Sequence, residues 1–259
     1  MLVSDQLNRT LTFQKPPERI ISLVPSQTEL LVDLGLKSKL VGITKFCVHP
    51  EELQKDVAVV GGTKTLHYDK VKALKPDIII CNKEENTAEI VEECGKIAPV
   101  WVSDIYTLED SLEMILSLGE IFKVRGKTSE IYEKIVSEAY NFSVSIQSSP
   151  KKKVAYLIWK KPYMAAGRNT FVNAMLKLNN FENILSEENS RYPEIQLSAL
   201  KSADLVLLSS EPFPFKESDV IELKKALQTE VLLVDGEYFS WYGSRLQNAF
   251  IYFKTLHSS

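Results

Sequence analysis

Short apolar runs rich in β-branched residues recur along the chain, each followed by a loop and then by an apolar rhythm near 3.6 residues. The run at 20–24 is ended by Pro25, as expected of a buried strand. Ser26 with Glu29 has the capping-box spacing, Leu30, Leu31 and Leu34 share a face, and Gly35 supplies a stop, so a helix is predicted there. Further strands are predicted at 40–44, 57–60, 78–81 and 100–102. Thr107 and Asp110 open a helix reaching Phe122, and after Gly126 a second pattern carried by Ile131, Ile135, Val136 and Ala139 continues to Gln147. At about 22 residues without glycine or proline, that second helix would span roughly 33 Å. Strands at 154–159, 205–208 and 231–234, with helices at 171–178, 220–227 and 245–256, complete the pattern. Alternation of this kind predicts α/β structure, with helices on both faces of parallel sheets.

The pattern repeats itself once. ALKPDIIIC at 73–81 and ALKSADLVLL at 199–208 both read as helix end, turn and buried strand, and each is followed by an acidic loop, 82–86 and 209–215. Two similar lobes are predicted, an N-terminal one over 1–105 and a C-terminal one over 151–259, with connecting helices over 106–150. A cleft between such lobes is where a small ligand is sought.

Composition narrows the function. With 259 residues, of which 44% are hydrophobic, there is enough apolar material for a core in each lobe. A formal net charge of −3, from 31 basic and 34 acidic residues, offers no general attraction for nucleic acid. Cys47, Cys81 and Cys94 are odd in number and lack close spacing, which argues for small buried side chains rather than a disulfide framework. The opening residues are polar and show no signal peptide, lipoprotein cysteine or membrane span. Two expectations remain open: a cytoplasmic protein, or a periplasmic or cell-surface one whose export signal has been removed. The protein is expected to be monomeric and not inserted in a membrane. Phosphate-loop, dinucleotide and zinc-protease motifs are missing from the sequence.

In parallel α/β sheets the ligand meets loops leaving the carboxyl ends of strands. Those loops contain Ser26 and Gln27, Phe46, Lys64, Asn82, Trp159, Tyr163 and Arg168, and Tyr238 and Trp241. Aromatic faces can bury a large planar ligand while a cation meets an anionic group on it. Cys47, His49 and His67 fit no tetrahedral metal pattern, and no resident cofactor, metal ligand or catalytic residue is expected. Glu84 and Glu85 in one lobe, with Glu211 and Glu237 in the other, place carboxylates where a symmetric basic partner could meet them.

RIISLVPSQTE at 19–29, VGIT at 41–44, GGTK at 61–64, LKPD at 74–77 and DG at 235–236 together resemble the cobalamin and iron-chelate substrate-binding proteins of ABC importers, of the helical-backbone, class III periplasmic type. The resemblance runs from about Glu18 to the C-terminus. It implies two Rossmann-like lobes joined by a single long backbone helix, here from Lys127 to about Gln147. It also implies modest closure on binding, no catalysis, and docking of Glu84, Glu85, Glu211 or Glu237, or the nearby Glu89, onto arginines of a permease dimer. The family's cleft aromatics match Phe46, Trp159 or its neighbour, Tyr163 and Tyr238. Two further aromatic positions fall on Lys64 and Asn82, which leaves room for a chelate more anionic than cobalamin. The expected function is capture of a corrinoid or related metal chelate in the interlobe cleft. The alternatives are a cytoplasmic enzyme or chaperone for such a cofactor, using Cys47, His49 or lysines, and a receptor for free metal.

Overall fold

The computed structural model describes residues 1–257 and separates into two compact units. The first comprises Met1–Ile105, Glu109–Val136 and Tyr242–Leu246; the second comprises Tyr106–Leu108, Ser137–Trp241 and the chain from Gln247 onward.

In the first unit, β1 (Leu2–Ser4) and β2 (Thr10–Thr12) form an antiparallel hairpin. The main sheet contains β3 (Ile20–Ser22), β4 (Leu40–Ile43), β5 (Ala58–Val59), β6 (Ile78–Asn82) and β7 (Val100–Ser103). Its order is β5-β4-β3-β6-β7, and every pairing is parallel. All residues of β3, β6 and β7 are buried, which explains why these strands read as continuous apolar runs rather than alternating ones. Ile21, Leu23, Val60, Val71, Ile79 and Ile90 gather in one core cluster.

The helix after β3 begins differently from the capping-box expectation. It spans Pro25–Asp33 with Val24 at the N-cap and no side-chain cap. Pro25, whose fixed φ suits the first helical position, starts the helix two residues early and places Ser26 inside its first turn. Glu29 then pairs with the Arg245 guanidinium, accepting from Nε at 2.9 Å and Nη2 at 2.7 Å. Gly35 ends the segment at φ +81°, a left-handed turn that glycine adopts without a steric penalty.

The second unit repeats the scheme with β8 (Lys152–Trp159), β9 (Met164–Ala165), β10 (Phe181–Asn183), β11 (Leu205–Ser209) and β12 (Glu230–Val234). The order β10-β8-β11-β12 is parallel throughout, while β9 folds back antiparallel on β8. Leu157, Val206, Leu208, Val220, Leu223 and Val231 form its core with Phe215. The two α/β units with parallel sheets are the predicted fold class, with β9 and the β1–β2 hairpin as antiparallel additions. The long helix spans Arg125–Ser145 and buries Ile131, Ile135 and Phe142. Among the described residues no helix is long and apolar enough to cross a membrane.

Candidate functional site

The carboxyl ends of β3, β4, β5, β6 and β7 carry the rim of the first unit. Its loops are stitched together by buried side chains. Asn82, at the end of β6 and only 2% exposed, accepts through Oδ1 from the Glu84 and Glu85 amides at 2.8 and 3.0 Å, and donates to Ser103 Oγ at 3.0 Å. Asn86 accepts from the Asn82 amide at 2.9 Å and donates to Thr63 O at 3.0 Å, joining the β6 loop to the β5 loop. Lys64 reaches across to Glu84 O at 2.5 Å. Fully buried Gln27 donates to Ser103 Oγ and lies 3.4 Å from the Tyr242 hydroxyl. Its Oε1 has no partner among the described residues.

On this braced platform Phe46 is 49% exposed, with Lys45 Nζ 5.0 Å from its ring centre. Lys64 is exposed as well. Ser26 is buried, and its hydroxyl faces that of Tyr242. Burial pushes the Glu85 carboxyl above its ordinary range; neighbouring Glu84 adds to the effect and Lys64 opposes it. Glu84 is half-buried and Glu89 exposed.

The rim of the second unit is aromatic. Trp159, 41% exposed at the end of β8, meets Phe213 edge-on at 5.6 Å. Tyr163 is half-buried against the core cluster. Between them Lys160 Nζ lies 2.7 Å from both Asp219 Oδ1 and Glu222 Oε2, pinning the β8–β9 turn to the helix Glu217–Leu227. Arg168 is exposed and donates to Asn189 Oδ1 at 3.2 Å. Tyr238 stacks on Tyr252 at 4.7 Å. Trp241 is 8% exposed and donates from Nε1 to Glu211 Oε1 at 3.1 Å. Ser240 donates to the same carboxylate oxygen at 2.5 Å. Glu211 is thus occupied by its own unit. Glu237 is half-buried at the start of the short helix Glu237–Ser240.

Within each unit, then, the structure gathers the predicted residues at the rim, but they differ in what they present. Gln27, Asn82 and Trp241 spend their side chains on holding loops, whereas Phe46, Lys64, Trp159 and Arg168 face solvent. Sequence reasoning missed Ser103, Tyr156 and Arg191. Ser103 and Tyr156 anchor the rims from strand positions, Tyr156 donating to Ser209 Oγ at 3.0 Å; Arg191 lies in a stretch without a predicted element. All three cysteines are buried. Burial pushes the Cys47 thiol up, partly opposed by Thr28 and Thr44, which works against the reactive thiolate a cofactor-handling enzyme would need. No cluster of three or more His, Cys, Asp or Glu suited to a metal ion occurs among the described residues.

Two α/β units, each built on a parallel sheet, have the fold of the class III periplasmic binding proteins. The family model described as "Periplasmic binding protein" matches residues 20–219, and the chain belongs to that family. It is a family of binding proteins, not of enzymes. The chain is 26% identical over 195 residues to the uncharacterized ABC transporter substrate-binding lipoprotein YvrC of Bacillus subtilis, a match covering 72% of this chain and 61% of that relative. It is 25% identical over 189 residues to the vitamin B12-binding protein of Vibrio campbellii, covering 70% and 66%. The chain therefore spans slightly less than two thirds of these relatives' lengths. Among solved structures, the periplasmic vitamin B12 binding protein BtuF of Vibrio cholerae superposes with a TM-score of 0.78 at 19% identity, over 94% of this chain and 99% of that one. A periplasmic heme binding protein from Pseudomonas aeruginosa gives 0.78 at 23% identity, over 94% of each chain. At those identities the likeness establishes the fold.

Proposed function

We propose that the chain is the substrate-binding component of an ABC importer and that it captures a metal chelate: cobalamin or a related corrinoid, a haem, or an iron–siderophore complex. The observation that carries this reading is the combination, in each unit, of solvent-facing aromatics with a rim already held rigid by buried hydrogen bonds. A braced rim loses little conformational entropy on binding, so contact area with a flat ligand converts into affinity instead of being spent on ordering loops. Phe46 and Lys64 in the first unit, and Trp159, Tyr163, Tyr238 and Arg168 in the second, are assigned direct contacts. Ser26, Gln27, Asn82 and Trp241 act beside them mainly by fixing the loops. Relatives named for vitamin B12, and solved neighbours named for heme, support a chelate of this size and shape.

Such a component works outside the cytoplasmic membrane, in the periplasm or at the cell surface. Glu84, Glu85 and Glu237 are assigned to meet permease arginines; Glu211 could join them only by releasing Ser240 and Trp241.

The test is a tryptophan-fluorescence titration with cyanocobalamin, cobinamide, haem and ferric siderophores. At least one should quench Trp159 emission saturably at a 1:1 ratio, and a Trp159→Phe variant should lose most of the signal. Failure of every chelate to quench or co-elute with the protein would remove the proposal.

A further inference from the structure

We propose that Gln54 is a positioning residue for ligand capture: it holds the loop that presents Phe46, so that the exposed ring is already in place when a flat chelate stacks on it. The inference rests on the chelate-binding reading above and concerns how one of its contacts is prepared.

Phe46 stands near the start of the connection between β4 and β5. The backbone on either side of it is anchored: the Lys45 amide donates to Gly61 O at 2.8 Å, the Phe46 amide to Thr44 Oγ1 at 3.3 Å and the Cys47 amide to Thr44 O at 3.1 Å. Cys47 is fully buried, with its sulfur 3.1 Å from Thr28 Oγ1 and 3.3 Å from Thr44 Oγ1. The carbonyls that flank Phe46 both go to one group. Gln54 Nε2 donates to Lys45 O at 2.9 Å and to Cys47 O at 3.1 Å, which uses both hydrogens of the amide.

Gln54 reaches these carbonyls because its own helix is pinned. The short helix Leu53–Asp56 carries fully buried Leu53, whose amide donates to Pro50 O at 2.9 Å. Gln54 itself is exposed, so water competes for its bonds and their loss costs the folded state little. The local consequence is larger. With both carbonyls released, the Phe46 segment gains freedom that it must give up again on binding, and affinity falls accordingly. Gly62 completes the seat: a β-carbon there would come within 3.2 Å of Phe46 Cε2 and 3.6 Å of Lys45 Cε, so the ring lies close against backbone that carries no side chain. Even so seated, Phe46 is 49% exposed, which leaves aromatic surface for a ligand.

Cyanocobalamin, cobinamide, haem and a ferric catecholate siderophore are titrated against the parent, Gln54→Ala, Gln54→Glu, Phe46→Ala and the Gln54→Ala/Phe46→Ala double variant. Thermal unfolding and amide exchange are followed on the same proteins. Gln54→Ala should weaken the tightest of the four chelates by about threefold or more at an unchanged melting temperature, with faster exchange confined to residues 45–50. Gln54→Glu keeps the size of the side chain but sets a carboxylate against two carbonyl oxygens; it should weaken binding at least as much, and provides the readout if the alanine variant does not fold. In the Phe46→Ala background the same Gln54→Ala change should have no further effect, because a residue that acts through Phe46 has nothing left to position. A merely structural role would not show that dependence. Unchanged affinity in both Gln54 variants, or an equal loss with and without the Phe46 ring, would overturn the positioning role while leaving the proposed function standing. A parent that binds none of the four overturns that function, and the role of Gln54 with it.

Discussion

Replacing Asn82 by alanine separates a loop-holding residue from a ligand contact. The side chain is 2% exposed and makes four hydrogen bonds: from the Glu84 and Glu85 amides at 2.8 and 3.0 Å, and to Ser103 Oγ and O at 3.0 and 3.3 Å. Each such bond contributes about 0.5–1.5 kcal/mol net. The long contact to Ser103 O counts at the low end, and water can replace part of what the two loop amides lose, so Asn82→Ala should destabilise the first unit by about 2–4 kcal/mol. Trp101 is fully buried in β7, directly opposite Ile80 of β6. Urea unfolding followed through its emission, in a Trp159→Phe/Trp241→Phe background, reports this unit alone. Amide exchange at Glu84 and Glu85 should accelerate in parallel. A loss below about 0.5 kcal/mol, the low end for a single bond, together with unchanged exchange at those amides, would show that Asn82 does not hold the loop. Weakened chelate binding at unchanged stability would then make it a direct contact.

Two further outcomes follow from burial and close approach. Cys94 is pushed up to about 11 by burial and neighbouring Glu93, so at pH 8 only about one part in a thousand would be thiolate. Cys47 and Cys81 are likewise raised by burial. A thiol-specific disulfide reagent should therefore label none of the three cysteines rapidly in the native protein and all three in denaturant, with the native rate rising as pH increases; fast native labelling at neutral pH would revive the reactive-thiol alternative. Gly236→Ala would drive a β-carbon into Ser209 Oγ and to 2.7 Å from Glu211 Cγ. It should cost about 1–3 kcal/mol and shift Trp241 emission, because Glu211 holds the indole nitrogen; an unchanged spectrum and melting temperature would contradict that packing.

The sheets were legible because their central strands are buried on both faces and so appear as uninterrupted β-branched runs. The helix at 171–178 was predicted to the residue. What escaped was either too short for a period, such as β9 with two residues and β10 with three, or governed by a competing local rule, as where Pro25 displaced Ser26 from the cap. Rim position was readable from strand ends alone, but the division of labour among rim residues was not. Gln27 meets Ser103 and Tyr242 across separations of 76 and 215 residues, and no local pattern announces such a contact. Arg191 was invisible for a related reason: one of the rings beside its guanidinium, Tyr106, belongs to a distant stretch of the sequence.

Hydrogen–deuterium exchange of the full chain, with and without a saturating concentration of the best-binding chelate, tests the central claim most directly. Protection should concentrate at residues 45–50, 62–65 and 83–87 in the first unit and 159–168 and 236–241 in the second, leaving the β1–β2 hairpin and the helix Glu217–Leu227 unchanged. Protection located away from the strand carboxyl ends would contradict the proposal that these rims bind the ligand.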